Sequence, residues 1–168
     1  MTSTIKNTDN MRLLYKESLT INRPIADVFY YLGHTFENAD TWLYGCKKIK
    51  AFRGHERFGM RLGKKYVRYG GGPFTIGTMV MEEEVIVFEE NKRFMLKTFS
   101  SALQPYWDYQ FTKIDENTTH WEYFVYSDNS KWRDFLFQRI FFGIAIKRLI
   151  PAHLKVKELL EKDTVLIH

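Results

Sequence analysis

From residue 43 to residue 128 the chain repeats one pattern, a short run of alternating apolar and polar residues followed by a turn. A two-residue period is the mark of strands with one buried face. The breaks are Gly54-His55, Gly70-Gly71-Gly72-Pro73, Glu89-Glu90-Asn91-Lys92 and Asp115-Glu116-Asn117. They separate strands expected over 43–53, 59–69, 74–88, 93–100, 106–114 and 118–127. Turns this short join antiparallel neighbours.

The flanks read differently. Residues 12–21, RLLYKESLTI, form one more strand. Asn22 is expected to cap a helix that Pro24 opens and Gly33 closes, and a second short helix is expected over 35–41. Asp128 to Ser130 offer caps for a long final helix from Lys131 to Lys162. Its apolar residues Trp132, Phe135, Leu136, Ile140, Phe141, Ile144 and Leu149 recur at three- and four-residue steps. Pro151 inside it predicts a kink or break near 147–151. The fold class is therefore α+β: a seven-stranded antiparallel sheet, two short helices after the first strand, and a long C-terminal helix. Residues 12–162 are expected to form one domain, with 1–11 frayed and 163–168 loose.

The turns also set a register. A loop over Gly70–Pro73 places Arg61 opposite Glu82, Met60 opposite Glu83 and Leu62 opposite Met81. A loop over 89–92 places Glu84 opposite Lys97, Glu83 opposite Thr98 and Val85 opposite Leu96. One face then carries the opposite-charge pairs Arg61–Glu82 and Glu84–Lys97. The other carries Met60, Leu62, Met79, Met81, Val85, Val87, Phe94 and Leu96, then Trp107, Tyr109 and Phe111, then Trp121, Tyr123 and Val125. Glu83 is the exception on this apolar wall. A buried carboxylate must be paired or protonated. A Lys or Arg on a neighbouring strand would make it a structural ion pair; otherwise it is a polar anchor or an acid/base.

Composition narrows the function classes. The chain has 168 residues, 45% hydrophobic and 17% aromatic, enough to bury a core without metal or disulfide help. Cys46 is the single cysteine, so no internal disulfide forms and a reducing cytoplasm is expected. The N-terminal residues carry no apolar signal core, and no apolar run reaches membrane-spanning length. His34, His55, His120, His153 and His168 show no helical metal-ligand spacing, so no metal is expected, and no cofactor either. No Gly-x-Ser-x-Gly elbow occurs. The Gly70–Gly72 run precedes a strand, which does not make a dinucleotide cradle. Net charge is +5, but residues 43–68 alone carry +8. That basic segment, with Tyr44, Phe52, Tyr66 and Tyr69 as stacking groups, is the only nucleic-acid feature. The glutamates at 82–84 and 89–90 can neutralise it, so nucleic acid is not expected as a partner.

Several segments resemble the START-like superfamily, also called Bet v 1-like or SRPBCC, and within it the polyketide cyclase/dehydrase and lipid-transport branch. They are Leu19-Thr20-Ile21-Asn22-Arg23-Pro24-Ile25-Ala26-Asp27-Val28-Phe29, Trp42, Gly59, the glycines at 70–72, Tyr109-Gln110-Phe111 ahead of Asn117-Thr118-Thr119, and Leu154-Lys155-Val156-Lys157-Glu158-Leu159-Leu160-Glu161. Asn117 stands where the family usually has Gly, and Pro151 interrupts the family's regular helix. The resemblance implies a helix-grip fold, a sheet wrapped around the C-terminal helix with a cavity between for a lipid, polyketide or other apolar molecule. The expected lining is Trp42, Met79, Met81, Glu83, Trp107, Tyr109, Trp121 and Tyr123 from the sheet side, and Phe135, Ile140 and Ile144 from the helix. The leading expectation is binding or transport. The alternative is an enzyme of cyclase or dehydratase type, with Glu83 as general acid/base. A third reading uses Phe135, Phe137, Phe141, Phe142, Lys147 and Arg148 for peripheral membrane contact or a homodimer.

Overall fold

A strand of ten residues, β1 (Arg12–Ile21), opens the chain in the computed structural model, which describes residues 8, 11–55, 61–70, 79–99, 104–127 and 132–162. Helix α1 (Ile25–Phe29) follows and runs on through a π turn (Tyr30–His34) and a 3-10 turn (Phe36–Thr41). Six strands come next: β2 (Cys46–Ala51), β3 (Lys65–Gly70), β4 (Met79–Glu89), β5 (Arg93–Thr98), β6 (Tyr106–Asp115) and β7 (Thr118–Ser127). Helix α2 (Trp132–Glu161) closes the fold. The sheet is antiparallel in the order β1-β7-β6-β5-β4-β3-β2, so the first strand returns to pair with the last. The sheet wraps around α2, which packs on β1 and against Trp121 and Tyr123 of β7. Among the described residues no helix is long and apolar enough to cross a membrane.

The α1 start differs in detail from the sequence expectation. Pro24, not Asn22, is the cap, and its carbonyl accepts from Asp27 and Val28. Asn22 is used elsewhere: its N–H donates to Glu161 Oε1 at 2.8 Å. Beside it, Arg23 Nε donates to the Leu160 carbonyl at 2.6 Å, and Lys157 Nζ to the Thr20 carbonyl at 2.8 Å. The last carbonyls of a helix have no partner within it, so Arg23 both satisfies one and fixes α2 to the end of β1.

Register carries most of the corrections. β4 and β5 pair as expected through Glu84 with Lys97 and Val85 with Leu96. A bulge at Ile86 then shifts the ladder, and Val87 falls opposite Met95. One extra residue moves a side chain to the other face. Val87, expected on the inner wall, therefore packs on the outer face with Met95 and Tyr106. β3 and β4 sit six residues from the expected register: Tyr66 faces Glu83, Arg68 faces Met81, and Gly70 faces Met79. An even shift keeps every face, so the inner set survives while the partners change. Arg61 does not pair with Glu82, which faces Val67; Leu62 is 50% exposed rather than inside. The reason is Gly63, whose φ of 76° turns the chain just before β3 and delays the strand. Met60, the 71–73 turn, the 128–130 caps and both chain ends lie outside the described residues.

Helix α2 is continuous through Pro151, so the expected break is absent. Pro151 and Lys147 are both exposed, so the carbonyl that proline leaves without a donor faces water. The outer sheet face is not wholly solvated. Asp108 is fully buried there and takes both Arg93 Nε and Nη2, at 2.8 and 2.9 Å, plus Gln110 Nε2 at 2.8 Å.

Gly70 ends β3 against Gly45. A Cβ at Gly70 would stand 2.4 Å from the Gly45 carbonyl oxygen, which is backbone and cannot swing aside. Gly70→Ala is expected to lower stability by about 1–3 kcal/mol, the usual cost of overpacking, read as a shift in urea midpoint at unchanged slope.

Candidate functional site

The inner face of the sheet is built from aromatic rings stacked across strands. Phe94 on β5 stacks on Tyr109 of β6 at 4.3 Å, and Tyr109 meets Tyr123 of β7 edge-on at 4.9 Å. Trp121 lies parallel to Tyr109 at 6.3 Å, and Trp107 parallel to Tyr123 at 6.3 Å. The short helical segments close one end of this wall. Phe29 packs on Phe111 at 5.3 Å and Phe36 on Tyr66 at 5.8 Å, with Trp42 beside Phe36. The α2 side is supplied by Ala152, His153, Val156 and Leu160, all buried, with Leu149 and Leu159 partly so.

Three buried ionic contacts interrupt the apolar surface. The first joins β3 to β4. Arg68 Nη2 donates to Glu83 Oε1 at 2.7 Å, and the same oxygen accepts from Thr98 Oγ1 at 3.2 Å. Trp107 Nε1 donates to Thr98 Oγ1 at 2.8 Å, and the Arg68 guanidinium lies 5.5 Å from the Trp107 ring centre. Arg68 Nη2 also lies 3.6 Å from Met81 Sδ. Among the described residues Arg68 Nε and Glu83 Oε2 have no hydrogen-bond partner. Burial works most strongly against the Arg68 charge, but Glu83 together with Cys46, Tyr109 and Tyr123 outweighs it and holds the guanidinium above its ordinary pKa.

The second contact joins β1 to α2. Glu17 Oε2 accepts from Tyr15 Oη at 2.7 Å and is hydrogen-bonded to His153 Nδ1. Burial alone would raise the Glu17 carboxyl; the bonds from His153 and Tyr15 outweigh it and hold the group below the usual carboxylate range. The His153 ring sits between Trp121 at 4.9 Å and Tyr123 at 4.5 Å, both edge to face. The third contact pairs fully buried Lys64 with Glu37 of the 3-10 turn, with the ammonium 4.9 Å from the Tyr66 ring centre.

Burial pushes the Tyr109 and Tyr123 hydroxyls well above the ordinary phenol pKa, so both remain protonated donors. Burial likewise pushes the Cys46 thiol up to about 11, which leaves it un-ionised at neutral pH and a poor nucleophile.

The expected lining residues distribute unevenly. Trp42, Glu83, Tyr109, Trp121 and Tyr123 are buried on this face, and Trp107 packs partly buried against it. Met81 reaches it through Arg68. Met79 stands opposite Gly70, and its side chain, like those of Phe135, Phe137, Phe141, Phe142, Ile144 and Arg148, lies outside the described residues. Ile140 is 61% exposed, which corrects its placement on the cavity side. At about 100° per residue, Ile140 falls half a turn from the stripe marked by Leu149, His153, Val156 and Leu160. A cleft of about 410 Å³ opens at a different place, lined by Phe52, His55, Lys65, Glu82, Glu83, Glu84 and Phe99. Of the expected wall only Glu83 borders it.

Arg68, Tyr15, Glu17 and His153 were not singled out for this site in the sequence. Tyr15 and Glu17 share the odd phase of β1 with Leu19 and Ile21, which face Trp121 and Thr119 across the ladder. Arg68 shares the even phase of β3 with buried Tyr66. His153 falls at a four-then-three spacing between Leu149 and Val156. Each was readable as a charged or polar residue in an apolar register.

No protein-family model matches the chain, and no curated relative matches it. Solved structures do. The Zhui aromatase/cyclase from Streptomyces sp. R1128 superposes with a TM-score of 0.67 at 11% identity, covering 92% of this chain and 96% of that one. Ara h 8.0201 gives 0.63 at 9% identity, covering 89% and 97%. A conserved protein from Geobacillus kaustophilus gives 0.64 at 15% identity, covering 88% and 94%. At these identities the likeness establishes a shared fold, a seven-stranded antiparallel sheet wrapped around a long C-terminal helix.

Two outcomes follow from the buried charges. Arg68→Met leaves Glu83 buried without its counter-charge and is expected to cost about 3–5 kcal/mol in urea unfolding, whereas Arg68→Met with Glu83→Leu recovers most of the loss. Glu17, with its pKa depressed by folding, adds stability above the unfolded carboxylate value of about 4.3 and loses it as pH falls through the folded value. The Tm difference between the wild type and Glu17→Gln is therefore expected to be largest near neutral pH and to close in acid.

Proposed function

We propose that this chain binds an apolar small molecule, lipid or polyketide-like in character, between the inner face of the sheet and α2. The observation that carries the reading is the combination of an aromatic wall with buried polar side chains that are held in place yet keep unpaired atoms, above all Arg68 Nε and Glu83 Oε2. Binding sites for such molecules present broad apolar area and a few fixed polar groups. Trp42, Met81, Trp107, Tyr109, Trp121 and Tyr123 supply area from the sheet side. Arg68, oriented by Glu83, meets a carbonyl, carboxylate or phenolate oxygen of the ligand. Sharing a fold with an aromatase/cyclase supports a cavity of this kind without identifying its occupant.

The enzymatic alternative, with Glu83 as general acid/base, has less support. Glu83 Oε1 is already engaged by Arg68 and Thr98, so its first role is to hold the guanidinium.

Native mass spectrometry of the purified protein, with titration of a fatty acid, a sterol and a polycyclic phenol followed by the fluorescence of the inner-wall tryptophans Trp107 and Trp121, tests the reading. A retained apolar mass, or saturable binding of at least one probe that raises Tm, is expected. No retained mass and no saturable probe would overturn it.

A further inference from the structure

The sheet has two edges, and they are finished differently. At one, α2 packs on β1 and Lys157 Nζ takes the Thr20 carbonyl. At the other, β2 lies beyond β3 with no further strand beside it. The register shows which backbone groups point off this edge. The Phe52 N–H donates to the Lys65 carbonyl at 2.9 Å. Bonded and non-bonded pairs alternate along an antiparallel ladder, so Lys50 with Val67 and Lys48 with Tyr69 are bonded pairs too. The Val85 N–H, which donates to the Lys64 carbonyl at 2.9 Å, fixes the same phase from the β4 side. Ile49 and Ala51 therefore turn their N–H and C=O groups away from β3. The 3-10 segment packs on the inner face, through Phe36 against Tyr66 and Tyr109. Among the described residues nothing outside the ladder hydrogen-bonds the Ile49 or Ala51 backbone.

The side chains along this edge carry one sign. Lys48 and Lys50 stand exposed on the outer face, beside exposed Lys47 and Arg53, and no acid lies between Leu43 and His55. The glutamates expected to neutralise this segment are used elsewhere: Glu83 bonds Arg68, Glu84 pairs with Lys65, and Glu90 with His34. Among the described residues no ion pair reaches Lys48 or Lys50. An open edge is a template for another strand, and here the lysines decide which strand fits. In a pairing of two copies, the antiparallel register that engages both Ile49 and Ala51 sets the two Lys50 side chains directly opposite each other, which is unfavourable. A strand with a carboxylate at every second position is complementary, because its acids recur at about the same 6.8 Å as Lys48 and Lys50. We propose that β2 is a docking edge for an extended acidic segment of another protein. The segment adds an eighth strand, bonds the Ile49 and Ala51 backbone, and pairs its carboxylates with Lys48 and Lys50. The inference is independent of the ligand reading above.

The probe is a fluorescein-labelled hexapeptide of alternating glutamate and threonine, with a lysine–threonine counterpart as control. In fluorescence anisotropy at low salt the acidic peptide is expected to bind about tenfold tighter, the scale of two cross-strand charge pairs turned from repulsive to attractive. Amide hydrogen exchange followed by NMR identifies the mode of binding. At saturation the Ile49 and Ala51 amides are expected to exchange about tenfold more slowly, while those of Lys48 and Lys50, already bonded to β3, stay unchanged. Lys48→Glu with Lys50→Glu should reverse the preference between the peptides. Ala51→Pro removes an outward N–H that the ladder does not use, a place where edge strands accept proline, and should weaken the acidic peptide about threefold or more. The wild-type exchange pattern stands even if a variant fails to fold. Binding of the acidic peptide without protection of Ile49 and Ala51 is charge attraction alone and overturns the docking edge. Equal binding of the two peptides, or no binding, overturns it as well. So does protection of the same amides by rising protein concentration without peptide, which assigns the edge to a second copy, or a DNA oligonucleotide that binds tighter than the peptide and protects neither amide.

Discussion

A charge on the inner face of this sheet is largely withdrawn from water, and that constraint organises the molecule. Each buried ionic contact joins two different parts of the chain. Arg68–Glu83 ties β3 to β4, Glu17–His153 ties β1 to α2, and Lys64–Glu37 ties the turn before β3 to the 3-10 segment. Pairs of this sort contribute little net stability compared with apolar residues of the same size, because desolvation offsets the Coulombic attraction. Their consequence is placement. An element that drifted would strand a charge, which costs several kcal/mol, so the pairs penalise misplacement far more than they reward folding.

The position of α2 shows how this works with the polar ties at its end. Arg23, Asn22 and Lys157 bind the last turns of the helix to the end of β1. His153 lies two turns earlier and bonds to Glu17 on the same strand. Two points of attachment along one strand set both the depth and the rotation of the helix. The rotation decides which residues face the wall: Leu149, His153, Val156 and Leu160 do, and Ile140 and Pro151 do not. Proline is then tolerated because it falls on the solvent side, where a freed carbonyl is hydrated.

The sequence made the architecture legible because strand alternation and turn residues are local signals. Seven strands, their order of appearance, the two short helices and the long helix could all be read, and β1 was placed to the residue. Register was legible only in part. Glu84 with Lys97 was correct because the turn at 89–92 is short and unambiguous. β3 against β4 was displaced because Gly63, inside what looked like a strand, turns the chain with positive φ. Val87 was misplaced because a bulge leaves no mark in an alternating pattern. The site was the least legible part. Glu83 stood out as an acid on an apolar face, but its partner Arg68 looked like one more cation in a basic segment. His153 looked like a metal candidate without companions, since nothing local connects it to Glu17, 136 residues away.

The two polar centres of the inner face differ in how their hydrogen-bonding atoms are used. At Arg68–Glu83 the pair is ionic and each member keeps one atom without a partner among the described residues, so the centre has a strong donor beside a strong acceptor. At His153 one Glu17 oxygen accepts the Tyr15 hydroxyl and also bonds the imidazole Nδ1, while Nε2 of the ring and the Trp121 indole N–H have no hydrogen-bond partner among the described residues. Between them lie Tyr109 and Tyr123, protonated and apolar-faced, adjoining both centres.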